Sequence, residues 1–352
     1  MSTEFKTSKE LVKWMGAIQA QDYSMSKWGI GLRLSNSDEK MVESSFNNGE
    51  ILRIHVLRPT WHFVSSEDIY WMINLTAPKI KSSLKSRHKQ LELSESIINR
   101  SFSVIENKLC DGNSLTRDEL ADAFHKVGIK TDANRLSHIL FCAELEGIAC
   151  SGPIKAKKQT YSLLAERVPE KIELSRGEAM AELAKRYFTS HCPATIQDFG
   201  WWSNLSLTEI RKTIDSIKSE FITKTTVSGQ YLYPLSYEEP PLNKTSAYLL
   251  PAFDEFLISY KDRSSSLSLI NNKKAVSDNG IFFPPVVVDG QVVGVWQRSI
   301  QKDKVIITLN QFQTLNKSIL KLIDKRAGQY GIFLGKETVI TYKSEKNKIL
   351  RT

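Results

Sequence analysis

The chain has 352 residues and a formal net charge of +9. Its 41% hydrophobic and 25% charged residues are ordinary for globular proteins, which excludes collagen-like, disordered and disulfide-scaffold classes. At roughly 100–200 residues per domain, the length implies two to four units.

No apolar run reaches the roughly 18–20 residues that a membrane span requires, because Asp289 interrupts the best candidate, 282–296. With Glu4, Lys6, Lys9, Glu10 and Lys13 in the first sixteen residues, no secretory signal is expected. Cys110, Cys142, Cys150 and Cys192 form no CxxC pair, so a reducing, cytoplasmic setting without disulfides is expected. The basic excess favours a polyanionic partner, although +9 over this length is modest.

Taken in order, the chain repeats one arrangement of short helices followed by a β-hairpin. Apolar periodicity predicts helices over 9–19 and 38–48, the second stopped by Gly49. Two β-branched and aromatic runs, 51–57 and 61–64, follow and are hinged at Arg58-Pro59-Thr60. Next comes 77–91, which carries Lys79, Lys81, Lys85, Arg87 and Lys89 with no acidic residue. On a helix, Lys81, Lys85 and Lys89 repeat at i+4 and share a face, forming either a phosphate-tracking stripe or a solvated surface. The second copy opens with Thr116-Arg117-Asp118-Glu119, a capping box, and predicts helices over 117–127 and 134–146. Its hairpin joins 148–150 to 159–163 through a turn carrying Lys155, Lys157 and Lys158. Three cations on a wing tip concentrate positive potential where wings commonly lie on backbone phosphates. The third copy has helices near 175–190, 195–202 and 206–219, then strands 221–226 and 231–234 turned at Ser228-Gly229.

Helices followed by a two-stranded hairpin describe a winged helix, a helix-turn-helix variant. The expected fold class is therefore α+β, with tandem winged-helix domains at 1–92, 93–170 and 171–235. A C-terminal antiparallel β unit, 236–352, is expected as a scaffold or small barrel. Its strands read at 247–250, 282–288, 291–298, 305–309 and 338–342, with a tight turn at Asp289-Gly290 and a helix over 312–330. The run 343–351 reads as a frayed basic tail.

Several chemistries lack their parts. The chain has no GxGxxG or GxxxxGK[ST] phosphate loop, no HExxH, no zinc-spaced Cys/His cluster and no GxSxG elbow. Neither a cofactor nor a metal is expected. Cys192 beside His191 reads as a structural cysteine rather than a thiol–imidazole pair. Adjacent carboxylates at Asp254 and Glu255 would point to opposite faces of a strand and make a poor hydrolytic pair. Most of the tryptophans read as core, with Trp61 in a strand under the first helix. Gln19-Ala20-Gln21-Asp22 is the one unusual local feature. On a helix, residues i and i+2 point about 200° apart, so Gln19 and Gln21 can share a site only if the backbone is extended or irregular there.

That segment does not stand alone. Arg58-Pro59-Thr60-Trp61-His62, His191-Cys192-Pro193-Ala194-Thr195, Asp198-Phe199-Gly200-Trp201-Trp202, Leu249-Leu250-Pro251-Ala252-Phe253-Asp254-Glu255, Gly294-Val295-Trp296 and Phe333-Leu334-Gly335 follow it in order. The series resembles the bacterial winged-helix family of alkylpurine and interstrand-crosslink DNA glycosylases that contains AlkZ and YcaQ. The resemblance covers essentially the whole chain. It implies a monofunctional DNA glycosylase acting on N7-alkylated purines, bulky or crosslinked, in double-stranded DNA. Gln19 and Gln21 would be its catalytic amides, with Asp22 and His62 in support. DNA contacts would come from Arg58, Lys81, Lys85, Lys89, Lys155, Lys157 and Lys158. A monomer with no membrane contact is expected. The family's arginine-glycine-threonine-leucine-histidine segment reads here with Pro59 and Trp61. A non-catalytic winged-helix DNA-binding protein or regulator is the other reading.

Overall fold

A computed structural model describes residues 3–239 and 245–343. The expected basic tail, apart from Lys343, lies outside them. In chain order come α1 (Ser8–Met15), β1 (Ile18–Gln19), α2 (Tyr23–Gly31), α3 (Glu39–Asn47), β2 (Ile51–Val56), β3 (Thr60–Ser65) and α4 (Ile69–Gln90). Then follow α5 (Glu95–Leu109), β4 (Leu115–Thr116), α6 (Arg117–Lys126), α7 (Arg135–Leu145), β5 (Ala149–Lys155), β6 (Lys158–Leu163) and α8 (Leu164–Arg167). The third stretch holds α9 (Arg176–Ser190), α10 (Ile196–Ser203), α11 (Leu207–Ile217), β7 (Phe221–Thr226) and β8 (Gly229–Pro234). The last holds β9 (Ala247–Leu249), α12 (Glu255–Ile258), α13 (Asn272–Ala275), β10 (Pro285–Val288), β11 (Gln291–Ile300), β12 (Lys304–Gln311), α14 (Lys317–Leu334) and β13 (Glu337–Tyr342). The fold is mixed α+β.

The chain divides into two compact units. One comprises Val12–Ile18 and Ser44–Leu235; the other comprises Met1–Leu11, Gln19–Glu43 and Ser236–Thr352. Gln19–Glu43 therefore groups with the C-terminal segment.

One sheet order recurs along the chain before Leu235. The sheets are β1-β3-β2 and β4-β6-β5, and in the last stretch a bridge from Ala194 to Leu232 lies beside the β7–β8 pair. Twice a short strand after the leading helix lies against the second strand of the hairpin, and in the last stretch the single bridged residue Ala194 takes that place. Local sequence explains the boundaries. Capping boxes pair Thr116 with Glu119, Ser175 with Glu178 and Thr195 with Asp198, satisfying the first orphan N–H groups of α6, α9 and α10. Leu109, Leu120, Phe124, Ile139 and Leu140 fill the core under β4–β6, and Tyr187, Phe188, Phe199 and Trp202 fill the next.

Two expectations change here. The helix expected over 9–19 ends at Met15, where Gly16 turns with φ of +79°, and the chain becomes extended at Ile18–Gln19. In the second hairpin the strand runs on through Ser151-Gly152-Pro153 with a bulge, and the turn is only Ala156-Lys157, both at positive φ. Gly152 tolerates that course because a Cβ there would lie 2.5 Å from the hydroxyls of Ser162 and Thr160.

The other unit is built on an open five-stranded sheet, β13-β12-β11-β10-β9. It is not a barrel, and it is not wholly antiparallel. β12 and β13 run parallel because α14 carries the chain back over the sheet between them. The Asp289-Gly290 turn is as expected, with φ of +46° and +78°. Leu250, Leu257, Phe282, Val287 and Val295 form one apolar cluster of this unit. The unexpected α2 packs Trp28 edge-on to Tyr330 and against Phe333 of α14, with ring centroids 5.1 and 5.2 Å apart. Among the described residues, no helix is long and apolar enough to cross a membrane.

Candidate functional site

Within the C-terminal unit, Gln19 lies in extended backbone and is buried. Its backbone N–H donates to Glu255 Oε1 at 2.6 Å, and the Ser259 hydroxyl donates to the other oxygen of that carboxylate. The side-chain Oε1 of Gln19 is also buried and has no hydrogen-bond partner among the described residues. A buried amide oxygen left in that state costs free energy unless a ligand or water completes it. The chain then bends at Gln21, which is exposed. The requirement for a non-helical backbone is met, and the two amides differ in accessibility.

The segment that supplies Glu255 is held from several sides. The indole N–H groups of Trp28 and Trp296 donate to the carbonyls of Leu249 and Leu250 at 2.8 and 2.7 Å. Arg33 grips Asp254 through its two terminal guanidinium nitrogens at 2.9 and 2.8 Å. Burial lowers the pKa of Arg33, but the Asp254 charge and hydrogen bonds outweigh it, and the net shift is upward. Asp254 also caps α12 by accepting the Phe256 N–H at 2.9 Å. Asp254 and Glu255 thus sit at a helix start rather than on a strand, and they have separate partners. Asp22 is the N-cap of α2, accepting the Met25 N–H at 3.0 Å, and lies 3.9 Å from Arg298.

Within the other unit, the basic candidates fall into two groups. Lys85 and Lys89 are exposed on α4, whereas Lys81 is half-buried and paired with Glu146 at 2.7 Å. On the second hairpin, Lys155 pairs with Glu119 at 3.4 Å and Lys158 with Asp118 at 2.9 Å. Those acids lie in the first turn of α6, near in space and far in sequence. Lys157 alone stands at the turn, exposed. Arg58 is half-buried with its guanidinium 5.8 Å from the Trp201 ring. His62 is fully buried in β3, its Nδ1 2.9 Å from the Thr60 carbonyl. Trp61 beside it is half-buried under the Arg53 guanidinium at 4.2 Å. Burial pushes the Cys192 thiol up to about 11, which leaves no thiolate next to His191.

The model of the AlkZ-like DNA glycosylases matches residues 12–333. The chain belongs to the AlkZ-like DNA glycosylase family. Members of this family are hydrolases of N-glycosyl bonds. A curated relative from Streptomyces sahachiroi, the interstrand DNA cross-link repair glycosylase, is 25% identical over 349 residues, covering 91% of this chain and 89% of its own. The solved structure of Streptomyces sahachiroi DNA glycosylase AlkZ has the same fold, with a TM-score of 0.78 at 21% identity over 96% of this chain and 94% of that one. The family match takes in Gln19, Gln21 and Glu255. Ser259 and Arg33 carry no motif in the sequence, and Glu255 reads there only as half of a poor hydrolytic pair with Asp254. The one local signal was an acidic pair closing the apolar run 249–253.

Proposed function

We propose that this chain is a monofunctional DNA glycosylase that hydrolyses the N-glycosidic bond of N7-alkylated purines, bulky or crosslinked. DNA is carried on three winged helices at 1–92, 93–170 and 171–235, with 236–352 as scaffold. The sheet order shared by the first two stretches, with the Ala194–Leu232 bridge in the third, supports the winged-helix assignment, and the name of the relative supports a role in crosslink repair. One observation carries the catalytic reading: the Gln19 amide oxygen is buried, unpartnered among the described residues, and anchored through its own backbone.

An amide is no general base at neutral pH, and this substrate asks for none. N7-alkylguanine carries a positive charge, so the base leaves without protonation. What remains is to position water and to stabilise an oxocarbenium-like sugar. The Gln19 oxygen, an oriented dipole in a buried setting, faces the developing cation, and Gln21 accepts from the attacking water. Asp22 supports the pair by fixing the start of α2, and His62 by bracing the first hairpin from within. Lys27, the first amine after the motif, is tied to Glu39 and Glu43 at 2.8 and 3.4 Å, and the proposed reaction uses no Schiff-base nucleophile. Lys85, Lys89 and Lys157 contact phosphates, while Lys81, Lys155, Lys158 and Arg58 exchange their present partners for DNA.

Incubation with duplexes bearing N7-methylguanine or an N7-linked interstrand crosslink tests this. The expected products are free base and an alkali-labile abasic site, with no borohydride-trapped adduct. Binding of both duplexes without base release would leave the non-catalytic DNA-binding reading.

A further inference from the structure

We infer that Glu255 is a positioning residue for catalysis: its buried carboxylate sets the backbone of Gln19 and thereby aims the Gln19 amide oxygen at the reacting sugar. The inference rests on the catalytic reading of Gln19 given above.

Glu255 and Gln19 belong to the same compact unit although they lie 236 positions apart. Satisfying one backbone N–H does not require a charge, since a carbonyl or hydroxyl would do it without moving a carboxylate out of water. Burying a carboxylate is costly unless its oxygens are satisfied. Here one oxygen takes the Gln19 N–H at 2.6 Å and the other takes the Ser259 hydroxyl. Charge-assisted bonds of this kind are shorter and stiffer than neutral ones. The stiffness falls on the residue whose side-chain oxygen is left open. Asp254, one position earlier, is paired with Arg33 and anchors the segment, and the Arg33 charge also acts on Glu255. Because a misplacement of about 1 Å can cost about a hundredfold in rate, the anchor is felt in chemistry before it is felt in binding.

Single-turnover release of N7-methylguanine is measured for wild type, Glu255→Gln, Glu255→Ala, Gln19→Ala and both Glu255 variants in the Gln19→Ala background. Affinity for undamaged duplex and the unfolding midpoint are followed in parallel. Glu255→Gln keeps shape and one acceptor, so it folds and loses rate several-fold, and Glu255→Ala loses about ten- to a hundredfold. Affinity for undamaged DNA stays unchanged. In the Gln19→Ala background the same substitutions cost less than about twofold, because the group they position is gone. A merely structural role gives instead the same proportional loss in both backgrounds, and that result overturns the inference. So does an undiminished rate in both Glu255 variants. No release by wild type overturns the catalytic reading, and this inference with it.

Discussion

Arg33 and Asp254 are joined by two parallel charge-assisted hydrogen bonds across 221 positions of sequence, and both side chains are almost fully withdrawn from water. Arg33 also donates to the Gly29 carbonyl at 2.9 Å, so the pair ties the end of α2 to the start of α12. Breaking one side leaves a buried charge uncompensated, and Asp254→Ala or Arg33→Ala should cost about 3–5 kcal/mol. Denaturant unfolding followed by circular dichroism checks this. A change under about 1 kcal/mol would mean the pair is hydrated in solution.

Gly31 faces Phe333 so closely that an added Cβ would lie 2.3 Å from the ring. Gly31→Ala should therefore destabilise the chain by about 1–3 kcal/mol through overpacking. Phe333→Leu in the same chain should recover part of that loss. Additive losses in the double variant would contradict the packing account.

The four cysteines are free. Burial pushes Cys142 and Cys150 up to about 12 and Cys192 up to about 11, while the Asp111 hydrogen bond raises Cys110. Alkylation of the native protein at pH 8 should accordingly be slow at every thiol and slowest at Cys150, which is fully buried. Mass mapping after iodoacetamide should find Cys150 unmodified until the chain is unfolded.

His88 and His138 lie with ring centroids 5.4 Å apart, and burial lowers the pKa of both, helped at His138 by the charges of His88 and Arg87. For a base with a depressed folded pKa, the unfolded chain takes up the proton first. Stability is therefore full above the ordinary histidine value of 6.5 and is lost as pH falls below it. His138→Gln should flatten the decline in unfolding midpoint between pH 7 and pH 5.5.

Among the basic candidates, Lys85, Lys89 and Lys157 have no ion pair described, whereas Lys155 and Lys158 are engaged with Glu119 and Asp118. Alanine at each of the first three should weaken binding to duplexes of any sequence and reduce the salt slope by about one per lost phosphate contact. Asp118→Asn, which releases Lys158, should strengthen binding. These exposed pairs are weak enough to exchange partners.

Much of this architecture is written locally in the sequence. Thr116 with Glu119, and Asp289 with Gly290, mark a helix start and a hairpin turn, because their chemistry acts within four residues. What the sequence hides is what depends on distant partners. α2 escapes periodicity because nearly all of it, Met25–Gly31, is buried, which leaves no polar face to set a rhythm. The parallel edge strand β13 depends on the crossover of α14, not on its own residues. The lysines of the second hairpin read as a bare cluster because their acidic partners sit about forty positions earlier. Gln19 and Gln21 were legible as candidates, but Glu255 could not be joined to Gln19 without the fold.

The central claim is that Gln19 and Gln21 perform the chemistry, and the most direct test is single-turnover excision of N7-methylguanine from duplex DNA. Gln19→Ala combined with Gln21→Ala should slow release by about two orders of magnitude or more, with affinity for the duplex and the unfolding midpoint held near wild type. Release from the double variant at the wild-type rate would contradict the account.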